Sequence, residues 1–267
     1  MTEPGRGCPS QPPRRIVSLV PSLTESLFAL GLGGRLVGVT EWCVHPAEGV
    51  AKLPKLGGTK NPDVAAIAAL APDLVIANQE ENRRRDVERL EAAGLRVWVT
   101  YPRTVAAGAA LLAELAELGA SREARRRVVE PVLVAVAEAE RALPERGTPV
   151  FCPIWRDPWM AVGADTYADD LLRLAGGRNV FGQRRERRYP RVSLDEVVAT
   201  APEVVILPDE PYAFGPSDVA ELRKLAIPAA VHGRIHVIDG TWVSWYGPRI
   251  AQALPALRHL LADGPTY

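Results

Sequence analysis

The chain has 267 residues, 47% hydrophobic and 24% charged, with 32 basic residues balancing 32 acidic ones. That composition is globular, with room for one large core or two modest ones, and zero net charge excludes a general binder of nucleic acid or anionic membrane, since both need a basic excess. No apolar run reaches the roughly 18–20 residues that would span a bilayer, and the scattered Cys8, Cys43 and Cys152 form neither a metal-type pair nor a disulfide framework, which fits a reducing compartment.

In chain order, residues 1–13 read as a disordered polar tail. They lack the apolar core of an export signal, and Cys8 lacks a lipoprotein signal before it. The expected location is therefore cytoplasmic, becoming periplasmic or extracellular if the true start lies upstream. Arg15-Ile-Val-Ser-Leu-Val20 is a first strand, and Ser22 caps a helix over 23–30 with Glu25 as capping-box partner. A strand at 36–40 leads into Glu41-Trp-Cys-Val-His-Pro46, a loop rich in reactive side chains. A strand over 74–77, a helix over 83–93 and a strand over 95–100 complete an α/β lobe at 14–103. Helices over 105–118 and 123–143, the second capped by Ser121 and carrying Pro131, make a helical connector at 104–146. A second α/β lobe occupies 147–267, with strands at 149–152, 204–207 and 235–238 and helices at 169–175, 219–225 and 250–261. Its basic run Arg184-Arg-Glu-Arg-Arg188 is either a solvated loop or an anion contact at a ligand rim.

One phrase occurs twice: Asn61-Pro-Asp-Val-Ala-Ala-Ile-Ala-Ala-Leu-Ala-Pro-Asp-Leu-Val-Ile76 and Ser193-Leu-Asp-Glu-Val-Val-Ala-Thr-Ala-Pro-Glu-Val-Val-Ile206. Each copy reads as a short helix, a Pro-acid turn and an apolar strand. Asn61 caps the first helix with Pro62 at its first position, and Ser193 caps the second. The apolar runs lack polar alternation, as in strands buried on both faces of a parallel sheet. Two copies of one unit predict two similar α/β lobes with a ligand cleft between them.

The segments Arg15-Ile-Val-Ser-Leu-Val-Pro-Ser-Leu-Thr-Glu25, Leu36-Val-Gly-Val-Thr40, Leu56-Gly-Gly58, Leu70-Ala-Pro-Asp-Leu-Val-Ile76, Gly176-Gly-Arg-Asn-Val-Phe181, Val192-Ser193 and Pro248-Arg249 together resemble the substrate-binding proteins of cobalamin and iron-siderophore ABC importers. The resemblance runs from about residue 14 to 262 and is strongest toward cobalamin binders. It implies two Rossmann-like lobes with parallel sheets joined by a long α-helix, a ligand in the cleft and small lobe movement. It also implies a surface glutamate per lobe to meet a permease. This chain has Ala65 and Ala66 at the first position and Asp195 at the second, which argues against permease docking.

Ligands of open α/β sheets bind beyond the carboxyl ends of the strands. The loops there offer Trp42, Glu81, Trp155, Arg156, Trp159, Tyr212, Trp242, Trp245, Tyr246 and Arg249 as ligand-binding candidates. Clustered aromatics suit a large flat ligand such as a corrin or porphyrin, or otherwise pack the loops together. Arg156 and Arg249 offer forks for ligand carboxylates or amides, or serve structure. Cys43 and His45 point the same way if their segment is extended, making a metal site with Glu80 or Glu81, or an axial ligand for a cobalt corrin. The opposing reading buries Cys43 and packs His45 near Pro46. No Gly-x-Ser-x-Gly, Walker or Gly-x-Gly-x-x-Gly motif occurs, and a Cys43–His45–Glu81 hydrolase places nucleophile and base too close in one loop. The expected function is non-catalytic binding of a corrinoid or related metal chelate by an intracellular carrier or sensor. It needs no cofactor, binds no nucleic acid and inserts in no membrane. The alternatives are an importer's binding component and a metal-ion binder using Cys43 and His45.

Overall fold

The computed structural model describes residues 11–262. The chain divides into two compact units, and each carries a four-stranded parallel sheet among the described residues. The first unit contains the chain through Pro102, then Ala109–Pro131 and Tyr246–Pro248. The second contains Arg103–Gly108, Val132–Trp245 and the chain from Arg249 onward.

In the first unit, β1 (Ile16–Ser18) runs into α1 (Pro21–Ala29), then β2 (Leu36–Val39) and the single turn α2 (Ala47–Val50). A small antiparallel pair, β3 (Gly57–Gly58) and β4 (Asn61–Pro62), precedes α3 (Val64–Ala69). Then come β5 (Leu74–Asn78), α4 (Arg84–Ala92) and β6 (Val97–Thr100). The sheet order is β2-β1-β5-β6. All five residues of β5 are buried, which is why its sequence shows no polar alternation. Val17, Leu19, Ile67, Val75, Val87, Leu90 and Val97 form the core between sheet and helices.

The long helices α5 (Val105–Glu117) and α6 (Arg122–Arg141) follow. Ser121 caps α6 as expected, its Oγ accepting from the Ala124 N–H at 3.1 Å. The boundary between units falls inside α6, after Pro131. The connector region is therefore shared between the two units rather than standing apart from them.

The second unit opens with β7 (Thr148–Phe151) and the hairpin of β8 (Pro153–Trp155) with β9 (Met160–Ala161), followed by α7 (Tyr167–Leu174) and β10 (Gly177–Asn179). Next are α8 (Leu194–Thr200), β11 (Val204–Pro208), α9 (Pro216–Leu222), the short α10 (Pro228–Val231), β12 (Ile235–Ile238), the short α11 (Thr241–Ser244) and α12 (Ile250–Ala262). The sheet order is β10-β7-β11-β12. Its core includes Phe151, Trp159, Phe181, Val197, Val205, Leu207, Phe214 and Leu222. No helix among the described residues is long and apolar enough to cross a membrane.

The doubled phrase folds twice into the same object. The helix α3 leads to β5 as α8 leads to β11, and the order of buried and exposed residues over 61–80 repeats without a change over 191–210. Each helix is followed within two residues by an alanine held at positive φ, Ala71 at 43° and Ala201 at 44°. A following proline explains the punctuation, since Pro72 and Pro202 cannot continue a helix. The expected first cap is corrected. Asp63 caps α3 by accepting from the Ala66 N–H at 3.0 Å, and Asn61-Pro62 is spent on the β3–β4 pair. Ser193 caps α8 with a full capping box to Glu196, as its sequence indicates. A second correction concerns α1. Pro21 occupies its first turn and Ser22 lies inside the helix, so no side chain caps it.

Candidate functional site

In an open parallel sheet, ligands bind where adjacent strands send their connections to opposite sides. In the first unit that point lies between β1 and β5, because β2 is on one flank and β6 on the other. In the second it lies between β7 and β11, for the same reason.

The first switch point is organised by two asparagines. Asn82, 4% exposed, accepts the Asn78 N–H on its Oδ1 at 2.8 Å. Its Nδ2 donates to the Thr59 carbonyl at 2.8 Å and the Leu19 carbonyl at 3.4 Å. One amide thus joins the loops that follow β1, β3 and β5. Asn78 closes the turn, its Oδ1 accepting the N–H of Glu80 at 2.8 Å and of Glu81 at 3.2 Å, and its Nδ2 donating to Thr100. Half-buried Glu80 and Glu81 are held at the rim by this frame. Lys60 donates its Nζ to the Glu80 carbonyl. Tyr246 packs here too, bonded to Ser22 and Thr100, and burial with the charge of Glu81 pushes its phenol well above the usual range. Trp42 is 65% exposed. Its ring rests by Gly58, where an added Cβ would stand 3.4 Å from the indole Nε1 and 2.6 Å from Asn61 Oδ1.

Aromatic side chains occupy the second switch point. Trp155, 42% exposed at the end of β8, meets half-buried Tyr212 edge to face at 5.7 Å between ring centres. Tyr212 leans on Phe214 at 4.6 Å, and Phe214 stacks on Trp159 at 5.7 Å. Trp159, Phe214, Trp245 and Tyr246 are buried, so packing rather than display accounts for them. The expectation that all the loop aromatics face a ligand is corrected accordingly: Trp42 and Trp155 are exposed, and Tyr212 and Trp242 are half-buried.

Arg156 is corrected as well. Its guanidinium pairs with Asp218 and Glu221 and lies 5.4 Å from the Trp159 ring centre. Asp218 in turn accepts the Gly215 N–H at 2.8 Å at the start of α9. The arginine therefore locks the β8–β9 hairpin to α9. Arg249 donates to Thr241 Oγ1 at 2.6 Å and covers Trp245 at 4.9 Å. In the basic run, Arg184 pairs with Glu196, and Arg188 donates to the Asp165 carbonyl at 2.7 Å.

Cys43 and His45 do not share a face. The segment after β2 turns at Glu41-Trp42 and bends at His45-Pro46 rather than running extended. Cys43 is fully buried, its Sγ within 3.1 Å of Thr24 Oγ1 and 3.2 Å of Thr40 Oγ1, and burial raises its thiol above the ordinary range. His45 is exposed. No group of three metal-ligating side chains converges among the described residues.

The profile of the periplasmic binding protein family matches residues 16–241. The chain belongs to that family. The resemblance read from its motifs to cobalamin and siderophore binders is borne out, as are the α/β class and its parallel sheets in two lobes. It is 27% identical over 262 residues to the vitamin B12-binding protein of Yersinia pestis, covering 97% of this chain and 90% of that one. The periplasmic haem-binding protein RhuT of Roseiflexus sp. RS-1 matches with a TM-score of 0.78 and 26% identity, over 94% of this chain and 98% of that one. The periplasmic vitamin B12-binding protein BtuF of Vibrio cholerae matches with a TM-score of 0.80 at 22% identity, over 94% and 97% of the two chains, a likeness of fold.

Asn78 and Lys60 were not among the site residues read from the sequence. The signal was present: Asn78-Gln-Glu-Glu-Asn82 brackets two acids with asparagines, and asparagine side chains habitually bond the backbone of a turn.

Proposed function

We propose that this protein binds, without transforming it, a flat metal-chelating macrocycle of the corrinoid or tetrapyrrole class at its strand-end loops. The observation that carries this reading is the exposure of Trp42 and Trp155 at strand-end loops of a chain belonging to a substrate-binding family. Exposed indoles in such places stack on large flat ligands. The vitamin B12-binding and haem-binding relatives support the ligand class. Titration with hydroxocobalamin, dicyanocobinamide and haemin tests it, read by ligand absorbance and tryptophan quenching. Binding by at least one, weakened about tenfold or more in Trp42→Ala and Trp155→Ala, is expected. No response to any of them at micromolar concentration overturns it.

Its employment is that of a carrier or sensor rather than a docked delivery protein. The supporting observation is the first repeat copy. The exposed start of α3 bears Ala65 where α8 bears exposed Asp195, so a paired carboxylate contact with a permease lacks one partner. Family membership favours the second reading, delivery to an ABC importer. Fractionation of the native cells separates the two. Recovery of the native protein outside the cytoplasmic fraction refutes the carrier reading.

A further inference from the structure

We propose that Arg191 holds a carboxylate on the rim of the bound macrocycle, so that the site favours carboxylate-edged rings over amide- or ester-edged ones. This rests on the ligand class proposed above and concerns the same site. A corrin or porphyrin core offers stacking surface whatever its edge carries, so the aromatics cannot tell one edge from another. A charged group fixed beside them can.

The second unit fixes one. The loop that follows β10 comes back alongside the β8–β9 hairpin as a third antiparallel line of chain, at the carboxyl end of the sheet. Trp155 pairs with Met160, and Met160 with Arg191. Directly opposed residues of antiparallel chains send their side chains to one face. The exposed indole, the half-buried thioether and the exposed guanidinium therefore stand in one row. The Ala161 N–H donates to the Pro190 carbonyl and the Val192 N–H to the Trp159 carbonyl, both at 3.0 Å. Met160 and Arg191 are thus a non-hydrogen-bonded pair, the kind whose side chains stand closest. Two strand spacings, roughly 10 Å, separate Trp155 from Arg191. A macrocycle stacked on the indole reaches the guanidinium with its edge.

The charge is uncommitted. Among the described residues, the side chains of Arg185, Arg187 and Arg191 make no hydrogen bond or ion pair, and all three are exposed. The backbone of Arg191 is pinned by Arg184, which donates to the Arg191 carbonyl at 3.3 Å and pairs with Glu196. The surrounding carboxylates do not cancel the charge. Asp157, Asp218 and Glu221 gather round Arg156, and Asp165 pairs with Arg103. With Glu196 set against Arg184, Glu186 and Asp195 remain to balance Arg185, Arg187, Arg188 and Arg191. The loop and the start of α8 keep a positive excess.

The consequence has a definite sign. A carboxylate seated on Arg191 gains charge-assisted bonds to a guanidinium fork, which an ester or amide forgoes in large part. At a rim only partly shielded from solvent, that difference is worth about tenfold in affinity.

The test compares haemin with haemin dimethyl ester, which share ring and metal and differ in edge charge. Dicyanocobyrinic acid against dicyanocobinamide makes the comparison on a corrin ring. The wild-type protein is expected to favour the acid of a pair about tenfold. Arg191→Gln should remove most of that preference by weakening the acid alone, and its unchanged affinity for the ester or amide shows that the variant folds. Arg185→Gln/Arg187→Gln should weaken the acid less than Arg191→Gln does. Raising salt from 0.05 to 0.5 M should narrow the wild-type ratio, a readout that needs no variant. If no ring of either kind binds, the ligand class itself fails. If rings bind with no preference for the acid, or Arg191→Gln leaves the preference intact, this inference alone is overturned.

Discussion

Asn82→Ala is the most informative single change outside the ligand-facing residues. It deletes two hydrogen bonds of 2.8 Å and one of 3.4 Å, all made by a side chain in a residue only 4% exposed. Each net bond is worth about 1 kcal/mol, and stranding a buried partner costs about 1–3 kcal/mol. The Asn78 N–H loses its acceptor and the Thr59 carbonyl a donor. Counting the long bond at little, the expected destabilisation is roughly 2–3 kcal/mol. Asn82→Asp sharpens the reasoning. Its carboxylate keeps the acceptor for Asn78 but turns a second oxygen toward the Thr59 and Leu19 carbonyls, so it should cost at least as much as alanine at neutral pH and less once protonated. Urea unfolding followed by tryptophan fluorescence measures both, and hydrogen exchange at the Glu80 and Glu81 amides reports the turn. If both variants stay within about 0.5 kcal/mol of wild type with unchanged exchange, Asn82 does not organise this site.

Other outcomes follow from the same geometry. Ser193→Ala and Asp63→Ala should each cost about 1 kcal/mol through loss of a helix cap, whereas Asn61→Ala should leave α3 intact; equal costs at all three positions would contradict the cap assignment. Ala71→Gly and Ala201→Gly should each stabilise by roughly 0.5–1 kcal/mol, because glycine tolerates positive φ and alanine does not; destabilisation at both sites would refute the strain. Arg156→Met should cost about 2–3 kcal/mol by leaving the buried Asp218 carboxylate uncompensated, and a neutral result would mean that the hairpin holds without it. Burial raises the Asp169 carboxyl above its ordinary value, against the bond from Asn179. Its contribution to stability is therefore full below about pH 3.8 and lost as pH rises through the elevated value. Asp169→Asn should flatten that fall in a pH series of unfolding curves, and an unchanged slope would discount the shift.

The architecture was readable because two of its cues are redundant. Apolar runs such as Leu74-Val-Ile-Ala77 and Val204-Val-Ile-Leu207 have no polar alternation, and each follows a proline-terminated helix. Either copy alone is ambiguous between strand and buried helix; the pair together is not. The site was less readable, because its residues earn their places through contacts distant in sequence. Asn82 meets Thr59 and Leu19, and Arg156 meets Asp218. Nothing local distinguishes such an arginine from one that awaits a ligand. Cys43 and His45 misled for a related reason. Side chains two apart share a face only in extended chain, and the loop that holds them turns and bends instead. Asn61 offered good cap chemistry two residues too early, and the antiparallel pair with Gly58 claimed it.

The return of Tyr246–Pro248 to the first unit bears on how the protein is made. The ribosome has delivered every other residue of that unit by Pro131, yet Tyr246, which bonds Ser22 and Thr100, emerges roughly 115 residues later. At about 5–20 residues per second that is a wait of about 6–23 s. During it, the slot for the phenol stands open to solvent and to chaperones. The first unit to be synthesised is thus among the last to be finished, and an N-terminal fragment ending in α6 would never be finished at all.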